Sequence, residues 1–231
     1  MFDLAIFDLD GTLVETAPEI TDALNELFAE LDVPRVEVAQ VETWVGFGEK
    51  KTLESALASS EAGRARLAKG LDDDLLAHFD RCYFAHCGKR SRVYPHVAQV
   101  LCALGSAGVH RALVSNKEPR TAMKVLDAHG LADDLEFIVC AAGKPDPRSV
   151  RQCLDYFGVD REQAVLIGDS SIDVATARAA GIASWCVPYG YNGGKPIADA
   201  KPDRLLKNFR EVGTLITGSA LPDPERSAVV F

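Results

Sequence analysis

The sequence predicts an α/β fold, a Rossmann-like parallel sheet core with an inserted α-helical cap domain. Three observations lead there. Short apolar runs recur along the chain and end in Asp, Gly, Ser or Asn; segments of helical periodicity separate them; and residues 16–89 carry helical periodicity with no strand-like run. Buried parallel strands read as short continuous apolar runs, and strands alternating with helices imply βαβ crossovers.

Leu4-Ala5-Ile6-Phe7 is the first such run and ends in Asp8-Leu9-Asp10-Gly11-Thr12. Thr16-Ala17-Pro18-Glu19 then has capping-box spacing with a proline in the first turn, and Ile20, Ala23, Leu24, Leu27, Phe28 and Leu31 mark one helical face. Val36–Trp44, Lys50–Ala58, Glu61–Ala68 and Leu71–Phe84 read as further helices, before the polar breaker Gly88-Lys89-Arg90-Ser91-Arg92. Strands are expected at Ala112–Val114, Phe137–Cys140, Ala164–Ile167 and Ser184–Val187. Helices are expected at Val97–Leu104, Pro119–His129, Ser149–Phe157 and Ile172–Ala180. The expected division is a core of residues 1–15 and 90–217, a cap of 16–89 and an irregular tail of 218–231, where little apolar surface is available to bury.

A chain of 231 residues, 47% hydrophobic and 26% charged, is ordinary globular composition and excludes a disordered, collagen-like or rod-like protein. The net charge of −9 argues against a nucleic-acid partner, because phosphate contacts need a concentrated basic surface. No apolar run approaches a membrane span, and the chain opens directly into strand-like sequence without a signal-peptide pattern, so a cytoplasmic location is expected. Cys82, Cys87, Cys102, Cys140, Cys153 and Cys186 form no Cys-x-x-Cys pair and read as reduced packing residues. His78, His86, His96, His110 and His129 show no ligand spacing and read as structural or surface residues, and Trp185 reads as strand packing.

In a doubly wound sheet, ligands bind beyond the carboxyl ends of the strands. There the sequence places Asp8 and Asp10, then Ser115-Asn116-Lys117, then Lys144-Pro145, then Gly168-Asp169-Ser170-Ser171 with Asp173 just inside the next helix. An Asp at a strand end is by itself an ordinary cap or turn residue, and a lone lysine is usually solvated. Clustered carboxylates repel, however, and a cation or proton must offset that cost. Mg²⁺ takes oxygen ligands and keeps waters that a phosphate can displace, and a lysine with short polar donors beside it suits a phosphoryl group.

Asp8-Leu9-Asp10-Gly11-Thr12-Leu13, Ser115-Asn116-Lys117, Lys144-Pro145-Asp146-Pro147 and Gly168-Asp169-Ser170-Ser171-Ile172-Asp173 together resemble the haloacid dehalogenase-like phosphohydrolases over nearly the whole chain. The resemblance implies Asp8 as nucleophile, giving an aspartyl-phosphate, and Asp10 as general acid/base. It implies Mg²⁺ held by the side chains of Asp8 and Asp169 and the backbone carbonyl of Asp10, with Asp173 orienting Lys144 or metal-bound water. Ser115 and Asn116 would hold phosphate oxygens, and Lys144 would neutralise the nucleophile and the phosphoryl charge. The dehalogenases carry a tyrosine at the position of Asp10 and the phosphonoacetaldehyde hydrolases an alanine, so a phosphatase or phosphomutase is favoured.

Substrate choice falls to the helical insertion. Trp44-Val45-Gly46-Phe47-Gly48-Glu49-Lys50-Lys51 places Gly46 and Gly48 before a helix N-terminus, which favours an anion, and Lys50 or Lys51 would pair with a substrate carboxylate or second phosphate. This Gly-x-Gly loop and the stretch Gly190-Tyr191-Asn192-Gly193-Gly194-Lys195-Pro196-Ile197 are similar to the phosphoglycolate phosphatases. The resemblance implies a small anionic phosphorylated metabolite as partner, 2-phosphoglycolate first. Alternatives are a sugar phosphate, pyrophosphate, a sugar phosphomutase reaction, or a phosphate-sensing module without turnover; the intact pair Asp8 and Asp10 argues against the last. A monomer or homodimer is expected.

Overall fold

The computed structural model describes residues 2–221, and the rest of the expected tail lies outside the described residues. Its sheet is built from β1 (Leu4–Phe7), β4 (His110–Val114), β5 (Phe137–Val139), β6 (Ala164–Gly168), β7 (Ala183–Cys186) and β8 (Arg204–Leu205). They lie in the order β5-β4-β1-β6-β7-β8, every pair parallel. From β1 the chain works outward through β4 and β5, then returns to the other side of β1 as β6. The topological switch point therefore falls between β1 and β6, where such sheets bind ligands.

Side chains alternate across a strand, and here both faces are buried. Leu4 and Ile6 pack with Ala112, Val114, Val150, Cys153 and Leu166 under α8 (Arg148–Phe157) and α9 (Ser171–Ala180). Ala5 and Phe7 face the larger core, which α6 (Val97–Ser106), α7 (Pro119–Ala128) and α10 (Arg210–Thr217) cover from the other side. Trp185 is buried in β7 with its ring edge-on to Phe2, a packing residue as expected.

Between β1 and β4 the chain leaves and rejoins the sheet through a two-stranded antiparallel ribbon, β2 (Val14–Glu15) with β3 (Arg92–Val93). The helices α1 (Ala17–Glu30), α2 (Val38–Val41), α3 (Glu49–Ala58), α4 (Glu61–Leu67) and α5 (Asp73–His86) lie between its strands, α1 packed along α5. Helix α2 is much shorter than the expected Val36–Trp44: Glu37 and Gln40 cap it reciprocally, and the Thr43 hydroxyl then donates to the Gln40 carbonyl in a turn. Helix α5 starts later than expected because Asp72 caps it, accepting from the Leu75 N–H at 2.8 Å.

The capping box expected at Thr16 and Glu19 does not form, although the helix begins there. The Thr16 hydroxyl donates to Asp10 instead, and Glu19, fully buried, accepts from the backbone N–H groups of Gly88 and Ser91. Both side chains are drawn away by partners distant in sequence or at the strand end. Burial raises the Glu19 pKa, and its Oε1 has no hydrogen-bond partner among the described residues.

Strand β8 and helix α10 were not expected. Asp203 anchors the chain before β8 by accepting from both the N–H and the hydroxyl of Ser184, an edge contact with no local sequence signature. Residues 218–221 form neither helix nor strand, yet Leu221 is buried against Gly213 of α10, so the tail's first residues do contribute to the core. All six cysteines are unpaired, and four of them are buried. His78, His86 and His110 pair with Glu30, Glu26 and Glu136 at the surface.

Candidate active site

The carboxyl ends of β1, β4 and β6 and the loop after β5 converge at the switch point. Asp8 continues β1 by one residue, its N–H donating to the Ile167 carbonyl at 3.0 Å, so the sheet itself aims its side chain. Its Oδ1 accepts from the Leu9 N–H at 2.7 Å and from the Lys144 ammonium at 2.9 Å. Lys144 also bonds Asp173 Oδ1 at 2.7 Å. The other Asp173 oxygen accepts from the Ser170 hydroxyl and N–H, a capping box that starts α9 and fixes the carboxylate on Lys144.

Asp169 follows β6. One oxygen accepts from the Thr12 hydroxyl at 2.6 Å and the other from the Tyr191 N–H. Gly190 is required beside it, since a Cβ there would overlap the Asp169 side chain. Oxygens of Asp8, Asp169 and Asp173 lie within 4.8 Å of one another, all buried, with one ammonium among them. Burial, opposed by Lys144 and reinforced by Asp173, pushes the Asp8 pKa up to about 6. Burial and the neighbouring Asp173 and Asp8 hold Asp169 well above the usual carboxylate range. This uncompensated negative charge on hard oxygen donors fits a divalent cation such as Mg²⁺.

Asp10 sits in the next turn. Its Oδ1 accepts from the Thr16 hydroxyl at 2.6 Å and from Lys117 Nζ at 2.9 Å. Lys117 is buried, 4.4 Å over the Tyr83 ring, and hydrogen-bonds the Tyr83 hydroxyl. Burial lowers the Lys117 pKa, but Asp10, Cys87 and Glu49 together outweigh it and the ammonium stays charged. Neither Lys117 nor Tyr83 was assigned a role from sequence. A lysine directly after a strand-end Ser-Asn, ahead of a proline-led helix, is a weak signal, and nothing local marks a tyrosine on α5 as its partner.

Ser115 and Asn116 directly follow β4 and line the same pocket. Ser115 Oγ accepts from the Lys117 N–H at 3.3 Å. Asn116 accepts from the Lys144 N–H at 2.7 Å and donates to the Gly46 carbonyl at 3.0 Å, tying the loop before α3 to the sheet edge. Gly48 crosses Asn116 with φ +87°, and a Cβ there would stand 3.3 Å from the Asn116 carbonyl oxygen. Gly46 and Gly48 are thus brought to the site with Asp8, Asp10, Ser115, Asn116 and Lys117, and Val45, Thr52, Phe79 and Tyr83 close it. The space left is about 20 Å³, room for a water or two.

Lys50 and Lys51 are not brought there. Both are exposed, Lys51 paired with Glu54 at 3.2 Å, while Lys50 lines an outer groove. With Gly48 capping α3, positions 49, 52, 53 and 56 face inward and 50 and 51 turn outward. The residue delivered to the pocket is Glu49, which sequence reasoning passed over. The contacts of the glycine-rich loop after β7 are also defined. The Tyr191 hydroxyl accepts from the N–H groups of Thr16 and Ala17 at the start of α1, and Asn192 accepts from the Ser171 N–H at the start of α9. These satisfy donors that a helix leaves unpaired.

The family model for haloacid dehalogenase-like hydrolases matches residues 2–181. A plasmid phosphoglycolate phosphatase of Cupriavidus necator is 37% identical over 221 residues, covering 94% of each chain. A phosphoglycolate phosphatase of Rhodospirillum rubrum is 37% identical over 213 residues, 90% of this chain and 88% of the relative. Among solved structures, that of a predicted phosphoglycolate phosphatase from Haemophilus somnus superposes with a TM-score of 0.83 at 30% identity, covering 93% of this chain and 97% of the other. With the motifs at the strand ends and the parallel sheet that gathers them, these matches establish that the chain belongs to the haloacid dehalogenase-like hydrolases.

Proposed function

We propose that this protein is a Mg²⁺-dependent phosphatase of small anionic phosphate monoesters, with 2-phosphoglycolate as its substrate. The observation that carries the reading is the pairing of two differently held carboxylates in one closed pocket: Asp8 against Lys144, and Asp10 against Thr16 and Lys117. The names of the relatives support the substrate.

In this reading Asp8 attacks phosphorus in line. The phosphorus–ester oxygen bond breaks as the aspartyl-phosphate bond forms, and Asp10 gives its proton to the leaving oxygen. Asp10 then takes a proton from water, whose oxygen attacks phosphorus and releases phosphate and the Asp8 carboxylate. Lys144 offsets the charge of Asp8 and of the phosphoryl oxygens, with Ser115 donating to the latter and Asn116 holding the Lys144 loop in place. Asp8 and Asp169, with the Asp10 carbonyl, would hold Mg²⁺, which supplies further neutralisation of the phosphoryl charge. Helices α1–α5, the residues 16–89 of the expected cap, exclude water while the ester is cleaved.

The test is phosphate release with Mg²⁺ from 2-phosphoglycolate, a hexose phosphate, pyrophosphate and an aryl phosphate, with Asp8→Asn alongside. Preference for 2-phosphoglycolate that vanishes in Asp8→Asn is expected. Asp8-dependent turnover of another ester alone would discard the substrate and keep the chemistry.

A further inference from the structure

Glu49 is an acidic residue in a pocket meant for an anion, and it plays no part in the chemistry above. As the first residue of α3 it faces the pocket that holds Asp8, Asp10, Ser115 and Lys117, and it also lines the outer groove between α3, α5 and α7. It therefore forms the wall between the pocket and the solvent. Its Oε1 accepts from the Thr121 hydroxyl of α7 at 2.7 Å, and Oε2 has no hydrogen-bond partner among the described residues. The residues that the phosphatase reading gives to the nucleophile and the phosphate belong to the sheet edge, whereas Glu49 belongs to the helical insertion opposite, the side which that reading leaves to the leaving group.

We propose that Glu49 is the specificity-determining residue for the leaving group, admitting an anionic group when its carboxyl is neutral and repelling it when ionised. The inference rests on the phosphatase reading. The surroundings supply the means. Burial, opposed by the Thr121 hydrogen bond and by Lys117, and reinforced by Asp80 of α5 and Glu118, pushes the Glu49 pKa up to about 7. The other charged groups at the wall are Lys50 of α3 and Arg120 of α7, both on the groove side. A neutral carboxyl donates a hydrogen bond to an acceptor such as a carboxylate; an ionised one meets it as a like charge in a partly desolvated site.

The test compares two esters of similar size, 2-phosphoglycolate and 2-hydroxyethyl phosphate, whose leaving groups differ in charge. The ratio of their kcat/KM values cancels the ionisations of enzyme groups that act alike on both esters, and the Glu49→Gln ratio accounts for those of the esters themselves. Between about pH 6 and 8.5 this ratio should fall about tenfold or more, as like charges a few ångströms apart in a partly buried site require. The midpoint should lie near the Glu49 pKa of about 7. Glu49→Gln should remove this fall. Thr121→Val, which removes the hydrogen bond that favours the ionised form, should move the midpoint upward. A flat ratio in the unaltered protein, or the same slope in Glu49→Gln, overturns the proposal while the phosphatase reading stands. If neither ester shows Asp8-dependent turnover, both fall together.

Discussion

Lys117 and Lys144 are both buried ammonium groups, yet they serve different carboxylates, and that division separates the roles of Asp8 and Asp10. Lys144 shares itself between Asp8 and Asp173, whereas Lys117 is shared between Asp10 and the Tyr83 hydroxyl. Replacing Lys117 with Met should leave Asp10 held by Thr16 alone and lower kcat/KM, which reports the steps up to loss of the leaving group, by roughly 10–100-fold for an alkyl phosphate, part of the usual worth of general acid–base help. The loss should be much smaller for a nitrophenyl phosphate, whose leaving oxygen needs no proton. Equal losses on both esters would show that Lys117 does not act through Asp10. For Asp8→Asn, turnover should vanish. The metal-free variant should also resist unfolding more at pH 8, because the unaltered Asp8, with its pKa near 6, must ionise in a buried site and Asn need not. Denaturant unfolding of the two proteins at that pH measures it.

At the scale of elements, β1, β4, β5, β6 and β7 and their ends were legible because each is a short apolar run closed by a polar breaker, a signal wholly local to the sequence. What escaped was long-range. Thr16 and Glu19 have the spacing of a capping box, but Asp10 and the backbone at Gly88 and Ser91 compete successfully for both side chains. The start of α1 is served instead by Tyr191, more than 170 residues later, and the N–H of the same residue bonds Asp169. The Gly-Tyr-Asn stretch was visible in sequence, but its partners were not. Tyr191→Phe should keep the backbone bond to Asp169 and lose the hydroxyl from α1, costing about 1 kcal/mol in unfolding free energy as other lost helix caps do. Unchanged stability would mean that water replaces the hydroxyl there without cost. Glu49 escaped for a related reason: the lysines beside it drew the eye, and only the phase of α3, set by Gly48, decides which of the three faces inward.

For the whole molecule, the fold gathers at one point charge that its sequence spreads over distant segments. The chain carries a net −9, and three of its carboxylates meet one ammonium at the switch point between β1 and β6, away from water. Because burial raises the Asp8 pKa to about 6 from 3.8, the metal-free fold binds a proton there that the unfolded chain has released. Its stability therefore declines as pH rises through roughly 4 to 6 and stays reduced above that window. A divalent cation competes with that proton, so its benefit should grow over the same range. Mg²⁺ at about a hundred times its dissociation constant should add about 2.7 kcal/mol at pH 8. At the same Mg²⁺ concentration the gain should be far smaller near pH 5. Thermal melts with Mg²⁺ and with chelator at both pH values would show it, and Asp169→Asn should abolish the difference at pH 8. An Mg²⁺ shift of equal size at both pH values would mean that the cation binds elsewhere, leaving the buried triad to be balanced by protons and Lys144 alone.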